Sequence, residues 1–316
     1  MNVFRGLTTP VERPYPVATI GNFDGQHRGH RSLLDIVVAT ARRRQGTAVV
    51  VTFDPHPVRT LAPHVDLKFL TSPDEKLARF EEAGIQDVVL LDFTPAFAAF
   101  TPAEFASHIL SKGLGLRELF VGEHFSFGKG RAGKVADLVQ LGAQLGFQVH
   151  AVPPVKLDGA VVSSTGIRRL IQAGDMPKAA RFLGRPYAIG GEVIHGDHRG
   201  QSLGWPTANL AVPAERVLPP DGVYAAATLW QGKRMESVAY IGTRPTFGAG
   251  ERIIEAYLLD QQVALYGERI TVQFIERLRG DMAFKSAEAL AAQIEEDVKE
   301  ARTCLRRASQ MAEMIP

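Results

Sequence analysis

His27 and His30 lie in the run GNFDGQHRGH at positions 21–30, which also holds glycines and an aspartate. The apolar residues 17–20 before this run predict a buried strand, and residues 28–45 carry apolar side chains at helical spacing. The two histidines are then one turn apart at the start of that helix. Because a helix N-terminus presents unpaired N–H groups and a partial positive charge, this run is typical of a site for nucleotide phosphates.

A pair of histidines three residues apart has two other interpretations. The pair could form half of a metal site, or both rings could be solvated on the helix surface. The strand, the glycines and the helix around the pair favour the phosphate site. Zinc is disfavoured, because the chain has a single cysteine, Cys304, and His56 is the one obvious nearby histidine that could add a third ligand.

The full string GNFDGxHxGH resembles the signature of the HxGH nucleotidyltransferases, and in particular that of the bacterial bifunctional riboflavin kinase/FAD synthetase family. Further family motifs follow in order between about residue 15 and about residue 303: FDPHP at 53–57, a VGxDFxFG-like segment at 121–128, SSTGIR at 163–168, PTAN at 206–209 and EAYLLD at 255–260. The resemblance implies one domain that phosphorylates riboflavin to FMN and one that adenylylates FMN. Mg²⁺ is the implied cofactor and ATP the co-substrate.

For the first domain, the resemblance implies a site where the FMN phosphate attacks the α-phosphorus of ATP. His27, His30 and Arg168, together with Mg²⁺, are expected to stabilise the transition state. The expected ATP contacts are Gly21, Asn22, Phe23, Asp24, Gly25, Ser164 and Thr165. The expected flavin contacts are Phe53, Pro55, Pro57, His124 and Phe127.

Two of these motifs also have a plain structural interpretation. FDPHP is equally typical of a stiff turn with Phe53 in the core, and SSTGIR alone predicts a capped helix start. His124 stands where the family usually has an acidic or amide residue. Phe53, Phe125 and Phe127 are the candidates for stacking on the isoalloxazine ring.

For the second domain, the resemblance implies that Gly196 and Gly200 turn backbone N–H groups toward the phosphates of ATP. Thr207 and Asn209 of the PTAN motif are expected to hold the magnesium–nucleotide complex. Glu255 is expected to take the proton from the riboflavin 5′-hydroxyl as this oxygen attacks the γ-phosphorus.

Each element of this second site has an alternative. PTAN on its own is typical of a plain turn, and a glutamate on a strand, such as Glu255, is usually a solvated carboxylate. Gln201 replaces a frequent arginine of the family, and Trp205 replaces a frequent phenylalanine. The aromatic exchange keeps the hydrophobic role, whereas the lost charge would weaken nucleotide binding.

Up to about residue 185, apolar runs alternate with helical segments. The predicted strands are 17–20, 47–53, 87–92, 118–122 and 147–152, and the predicted helices are 28–45, 73–83, 102–112 and 135–145. This alternation predicts an α/β fold with a doubly wound parallel sheet, which binds ligands at the carboxyl ends of its strands. Ser72 and Thr101 each precede a proline and, three residues on, a glutamate, so both predict capped helix starts.

After residue 185 the pattern changes to β-rich segments broken by glycine and proline, at 188–195, 223–230, 235–241, 253–259 and 269–275. These segments predict a small antiparallel β-barrel domain, and the alanine-rich stretch 286–309 predicts a C-terminal helix packed on it. The predicted division is an FMN adenylyltransferase domain at 1–185 and a riboflavin kinase domain at 186–316.

The composition is that of an ordinary globular protein of 316 residues, 45% hydrophobic and 22% charged. The net charge of +2 argues against a protein dedicated to nucleic acid or to anionic membranes. The first 30 residues lack the apolar core of a signal peptide, and no apolar run is long enough to span a bilayer. With one cysteine, these features lead us to expect a cytoplasmic enzyme. The expected partners are riboflavin, FMN and ATP, and a homo-oligomer is left open.

Two other functions compete with the bifunctional enzyme. The chain could be an FMN adenylyltransferase whose kinase domain is inactive or altered. It could also be a non-catalytic sensor that binds flavin or nucleotide. The residues that argue against the sensor, because binding alone requires no catalytic base, are His27, His30, Thr207, Asn209 and Glu255.

Overall fold

The computed structural model describes residues 1–7, 12–194, 205–243, 252–261, 263 and 265–313. Its contacts divide the chain into two units, Met1–Ser164 and Thr165–Pro316. The strands of the first unit are β1 (Asn2–Arg5), β2 (Val17–Ile20), β3 (Ala48–Phe53), β4 (Asp87–Leu91), β5 (Glu118–Gly122), β6 (Ser126–Phe127), β7 (Gly133–Lys134), β8 (Gln148–Val152), β9 (Lys156–Leu157) and β10 (Ala160–Val161). Its α-helices are α1 (Arg28–Arg43), α2 (Pro57–Leu61), α3 (Pro73–Glu82), α4 (Pro95–Ala98), α5 (Pro102–Glu104) and α6 (Val135–Leu145).

Six strands of the first unit form one parallel sheet in the order β1-β4-β3-β2-β5-β8. From β2 the chain moves outward through β3 and β4, then returns to the other side of β2 and adds β5 and β8. The carboxyl ends of β2 and β5 therefore flank the point where the direction of winding reverses. Open parallel sheets bind their ligands at such a switch point.

Apolar side chains cover both faces of this sheet. On β3, Val49 and Val51 belong to a core that includes residues of α6, whereas Val50 belongs to a core that includes residues of α1 and α3. Successive residues of a strand point to opposite faces, so a continuous valine run suits a strand that is buried on both sides. The predicted doubly wound α/β domain is confirmed.

Local structure departs from the predictions at several short elements of this unit, of which two are informative. β1, an edge strand paired with β4, was not predicted, because three of its four residues are exposed and it has no apolar run. The helix predicted at 102–112 is α-helical only at α5 and continues as a π-helix over Phe105–Gly113. Both predicted capping boxes are present, with Ser72 at the start of α3 and Thr101 at the start of α5.

The second unit is built around a closed antiparallel barrel. Its elements are α7 (Ser164–Gln172, which starts on the last residue of the first unit), α8 (Met176–Leu183), β11 (Tyr187–Ile194), β12 (Thr207–Leu210), β13 (Gly222–Trp230), β14 (Lys233–Thr243), β15 (Arg252–Leu258), β16 (Arg269–Arg279) and α9 (Ala287–Glu313). The barrel order is β11-β12-β15-β14-β13-β16, and all of its pairs are antiparallel. The predicted barrel and C-terminal helix are confirmed.

β12 is the barrel strand that the sequence analysis did not predict. It contains the last three residues of the PTAN motif, so the interpretation of this motif as a plain turn is wrong. α9 packs on the barrel through Ala301, Cys304 and Leu305, which share a core with Ala225 of β13. None of the helices that the structure describes has the length and apolar character needed to cross a membrane.

The two helices α7 and α8 bear on the domain division. The contacts place the division after Ser164, and α8 packs against β11 and β16 of the barrel. The sequence-based division near residue 185 instead assigns both helices to the first domain, and it stays a prediction.

Candidate active sites

The turn that follows β2 is tightly wound. Phe23, Gly25 and Gln26 have φ angles of 51°, 81° and 37°, in the left-handed region that side chains other than glycine rarely adopt. The ring of Phe23 is buried and packs edge-on against Phe80, with the ring centroids 5.5 Å apart. Strained backbone of this kind persists only where its surroundings hold it, and it is common at functional sites.

Asp24 holds the turn in place. Its carboxylate is buried and accepts the backbone N–H groups of Leu70 at 2.9 Å and of Thr71 at 3.2 Å. The Ser164 hydroxyl donates to the backbone carbonyl of Asp24 at 2.8 Å. The Asp24 carboxylate therefore forms hydrogen bonds within the protein, and it lines neither of the cavities described below.

His27 and His30 stand together at the start of α1. His27 is the N-cap residue, and its Nδ1 accepts the backbone N–H of His30 at 3.2 Å. With this bond made, a neutral His27 ring carries its proton on Nε2. A Cβ on Gly29 would lie 3.2 Å from Nδ1 of His27. This tight contact favours glycine at the position before His30.

The environment of His30 keeps its ring neutral. Burial, and in second place the charge of His27, hold the pKa of His30 well below its usual value of 6.5. Its Nδ1 is buried and has no hydrogen-bond partner within the described ranges. A neutral ring beside a phosphate can donate one hydrogen bond without carrying a charge into the buried site.

A cavity of about 260 Å³ opens beside the two histidines. The carboxyl ends of three parallel strands supply much of its wall, which includes Gly21, Phe23, Gly122, His124, Pro153 and Val155. Since β2 and β5 flank the switch point of the sheet, this cavity lies where such a fold binds its ligand. Pro153 and Val155 were not predicted. The end of the predicted strand at 147–152 was the available signal for them.

A second cavity, of about 610 Å³, lies next to the first. Its wall is largely aromatic and includes Phe53, Pro57, Phe93, Phe97, Phe100 and Phe127. Ile20, Gly21, His124 and Phe125 line both cavities. An apolar, aromatic cavity of this size suits a flat ring system.

The structure sorts the predicted residues of this region into three groups. The cavity walls contain Gly21, Asn22, Phe23, His27, His30, Phe53, Pro57, His124 and Phe127. Asp24, Gly25 and Pro55 line neither cavity. Asp24 and Gly25 bind the 70–71 segment, where the Gly25 N–H donates to the Thr71 hydroxyl at 3.1 Å, and Pro55 is exposed. Ser164 is tied to the turn, and Thr165 and Arg168 follow it in α7, where their roles stay predictions.

The predicted kinase residues share one face of the barrel. Asn209 of β12 lies directly opposite Glu255 of β15, so the two side chains project to the same side of the sheet. Thr207, two residues earlier on β12, projects to that side too, and its Oγ1 lies 3.5 Å from Oε2 of Glu255. A hydroxyl, an amide and a carboxylate are thus brought together.

Tyr240 lies opposite Glu255 on the other neighbouring strand, β14. Its hydroxyl donates to Asp281 at 3.2 Å. Burial, and after it the charge of Asp281, raise the pKa of Tyr240 to about 12, so the hydroxyl keeps its proton at neutral pH. Sequence analysis missed this neighbour, because strand register is not readable from residue types alone.

The remaining predicted residues of the second site, Gly196, Gly200 and Gln201, lie outside the described residues. Trp205 is described, and its ring packs edge-on against Tyr257 with the centroids 5.0 Å apart. Within the ranges that the structure describes, no three His, Cys, Asp or Glu side chains group as a metal site.

Comparison with protein families gives two matches that divide the chain between them. Residues 10–166 match the FAD synthetase model, and residues 183–305 match the riboflavin kinase model. The chain is 38% identical over 306 residues to a bifunctional riboflavin kinase/FMN adenylyltransferase of Escherichia coli strain K12. It is 40% identical over 310 residues to a protein of the same name from Pseudomonas fluorescens. Each alignment covers 96% of this chain and 97% of the relative.

A solved structure also resembles the chain over nearly its whole length. This crystal structure, of a Streptococcus pneumoniae protein named as a macrolide-efflux protein, superimposes with a TM-score of 0.87 at 29% sequence identity. The superposition covers 96% of this chain and 99% of the other. The fold therefore recurs in a relative whose name differs from those of the curated relatives.

Proposed function

The chain belongs to the bifunctional riboflavin kinase/FMN adenylyltransferase family, and from this premise we propose which of its residues carry each reaction. The protein phosphorylates riboflavin to FMN and adenylylates FMN to FAD, with ATP as the co-substrate of both steps. The two family matches assign the second reaction to the α/β unit and the first to the barrel.

In the α/β unit, ATP occupies the cavity beside His27 and His30, and FMN occupies the aromatic cavity. The observation that supports this arrangement is the wall that the two cavities share at Gly21 and His124. Because the two cavities are adjacent at these residues, the phosphates of ATP and FMN can meet there. Alignment of this kind supplies much of the rate of a reaction that needs no covalent intermediate.

Adenylyl transfer then follows from the geometry. An oxygen of the FMN phosphate attacks the α-phosphorus of ATP, the bond from that phosphorus to the bridging oxygen breaks, and pyrophosphate leaves. His27 donates from Nε2 and neutral His30 donates one further hydrogen bond to the charge that develops on the phosphate oxygens. The resemblance to the family assigns Arg168 a phosphate contact with a permanent positive charge, and we keep that role for it.

In the barrel, Glu255 is the general base. It accepts the proton of the riboflavin 5′-hydroxyl while that oxygen attacks the γ-phosphorus of ATP, and ADP leaves. The proximity of Thr207 Oγ1 to the Glu255 carboxylate supports this assignment, because it places the base beside a residue of the PTAN motif. This short distance between Thr207 and Glu255 also favours an active kinase domain over an inactive one.

Mg²⁺ fits the oxygen donors of this second site. Mg²⁺ prefers oxygen ligands and is commonly held by one or two protein groups together with substrate phosphates and water. Thr207 and Asn209 supply a hydroxyl and an amide oxygen on one face of β12, which suits such partial coordination. When bound there, the ion supplies positive charge that offsets the charge of the nucleotide phosphates.

Three broader assignments complete the proposal. We place the enzyme in the cytoplasm, in keeping with its single cysteine. We assign it no nucleic-acid or membrane partner, in keeping with a net charge of +2. The domain division lies between α8 and β11, near residue 185, and a homo-oligomer is left open.

The decisive experiment is a time course with the purified chain, riboflavin, ATP and Mg²⁺, in which riboflavin, FMN and FAD are separated by chromatography. A parallel reaction starts from FMN. FMN followed by FAD is the expected order of appearance. FAD from FMN but none from riboflavin would indicate an inactive or altered kinase domain, and no product from either reaction would indicate a sensor.

A further inference from the structure

Lys76 of α3 packs against the turn at residues 21–26, which precedes α1. It has no role in either reaction as proposed above. The side chain is half-buried, and Nζ donates to the hydroxyl of Thr52 at 3.4 Å. Thr52 is fully buried near the carboxyl end of β3, and its hydroxyl in turn donates to the backbone carbonyl of Asn22 at 3.5 Å. The ammonium group is thereby connected to the first part of the turn.

The backbone of Lys76 contacts the other end of the same turn. Its carbonyl accepts Nε2 of Gln26 at 2.7 Å. The middle of the turn is held by Asp24, which binds the N–H groups of Leu70 and Thr71 just before α3. Hydrogen bonds therefore connect the segment from Leu70 to Lys76 with the start, the middle and the end of the turn, the first of them by way of Thr52.

The charge of Lys76 has a second consequence. Asp24 and Asp54 are the two carboxylates whose charges act on Lys76 and raise its pKa, although burial is the larger effect and lowers it. Asp54 is exposed, and Arg5 lies 3.4 Å from it on the surface. Two carboxylates close to a site for nucleotide phosphates would repel the ligand. Lys76 is a cation that offsets both of them from inside the protein.

We propose that Lys76 is a positioning residue for adenylyl transfer, which fixes the turn from beneath and offsets the negative charge of Asp24 and Asp54 next to the nucleotide phosphates. This inference rests on the proposed use of the turn and cavity for ATP. Lys76 lines neither cavity, so it acts through the turn rather than by contact with substrate.

The test compares Lys76→Met with Lys76→Arg. Methionine keeps an unbranched apolar stem and removes the charge, whereas arginine keeps the charge. We expect the methionine variant to raise the KM for ATP in FAD formation by about tenfold, with kcat within about threefold of wild type. The arginine variant should recover most of the loss. Lys112→Met, which removes an exposed lysine from the π-helix, is the matched control and should leave the KM for ATP unchanged.

A double variant separates the effect of charge from that of packing. If Lys76 offsets Asp54, then Asp54→Asn in the Lys76→Met background should lower the KM for ATP again, relative to Lys76→Met alone. A lost packing contact would not be restored by neutralising a carboxylate on another segment. The riboflavin kinase rate of each variant serves as the internal control for an intact chain.

Two results would overturn the inference. One is a KM for ATP in Lys76→Met that equals the wild-type value. The other is a loss that neither arginine nor Asp54→Asn relieves. Failure of the underlying site assignment is visible separately, because His30→Ala would then make FAD at the wild-type rate.

Discussion

The imidazole rings of His27 and His30 are stacked, with centroids 3.7 Å apart and planes inclined by 15°. The stack follows from the helix start, where His27 caps α1 and its Nδ1 receives the N–H of His30 one turn later. Two rings this close resist being protonated together, since like charges repel strongly in a buried site. The pair therefore behaves as one unit with a neutral partner rather than as two independent cations.

Replacement of His30 by alanine should lower the rate of FAD formation from FMN by about a hundredfold or more, the usual effect of losing one transition-state hydrogen bond. FMN formation from riboflavin should continue at the wild-type rate, because that reaction belongs to the barrel. Chromatography of the two parallel reactions measures both rates. FAD formation at the normal rate would contradict the role of His30.

The lowered pKa of His30 also predicts how stability depends on pH. The folded ring binds a proton well below pH 6.5, whereas the unfolded ring binds it near 6.5. Below pH 6.5 the unfolded chain therefore binds more protons, so the contribution of His30 to the free energy of unfolding is lost as the pH falls toward the folded pKa. Denaturant unfolding, followed by circular dichroism from pH 7.5 to 5, should show a weaker pH dependence in His30→Gln than in wild type. Equal dependence would contradict the lowered pKa of the His30 ring.

The turn between β2 and α1 could be predicted from sequence because its signals are local. Glycines and helical periodicity fall within about 25 residues around His27, and the structure has the predicted strand as β2 and the predicted helix as α1. The sheet followed from the same kind of signal, since buried parallel strands are continuous apolar runs. β12 was missed because four residues of mixed polarity carry no such run, and its place in the barrel depends on its pairing with β15.

Whether a site residue faces the ligand or bonds within the protein depends on contacts with residues that are distant in the sequence. Asp24 is in the family motif, but its carboxylate binds N–H groups 46 and 47 residues away. Phe97 and Phe100 line the aromatic cavity, yet phenylalanines in the sequence are equally typical of a hydrophobic core. Pattern analysis finds the residues that a site requires, whereas packing decides which of them face the ligand.

Replacement of Phe53 by alanine should raise the KM for FMN in FAD formation by about tenfold, because a half-buried aromatic wall contributes roughly 1.5 kcal/mol of apolar contact. Phe53 packs edge-on against Phe93 and lines the aromatic cavity. Steady-state kinetics with FMN as the varied substrate provide the measurement. Phe4→Ala is the control, since Phe4 packs on the same core without lining either cavity. An equal change in both variants would indicate a loss of packing only.

Replacement of Glu255 by glutamine should reduce FMN formation from riboflavin by about 10² to 10⁴, the usual contribution of a general base. The amide keeps the size of the side chain and its neighbours Thr207 and Tyr240. FMN supplied from outside should still be converted to FAD at the wild-type rate. Loss of both activities would instead indicate that the substitution unfolds the chain.

The ion pair of Arg279 with Asp297 should make a large contribution to the attachment of α9 to the barrel. Nε and Nη2 of Arg279 donate to the Asp297 carboxylate at 2.8 Å each, and both side chains are mostly buried. Asp297→Asn leaves a buried guanidinium without its counter-charge, which costs roughly 3 kcal/mol. The exposed pair of Asp260 with Arg302 is the matched control, and Asp260→Asn should cost less than about 1 kcal/mol.

Fluorescence measures this difference selectively, because both tryptophans of the chain, Trp205 and Trp230, belong to the second unit. Denaturant unfolding followed by their emission should shift to lower denaturant concentration in Asp297→Asn and hardly at all in Asp260→Asn. Similar shifts would mean that burial adds nothing to the first pair. The apolar contacts of Ala301, Cys304 and Leu305 would then matter more for holding α9 than this ion pair does.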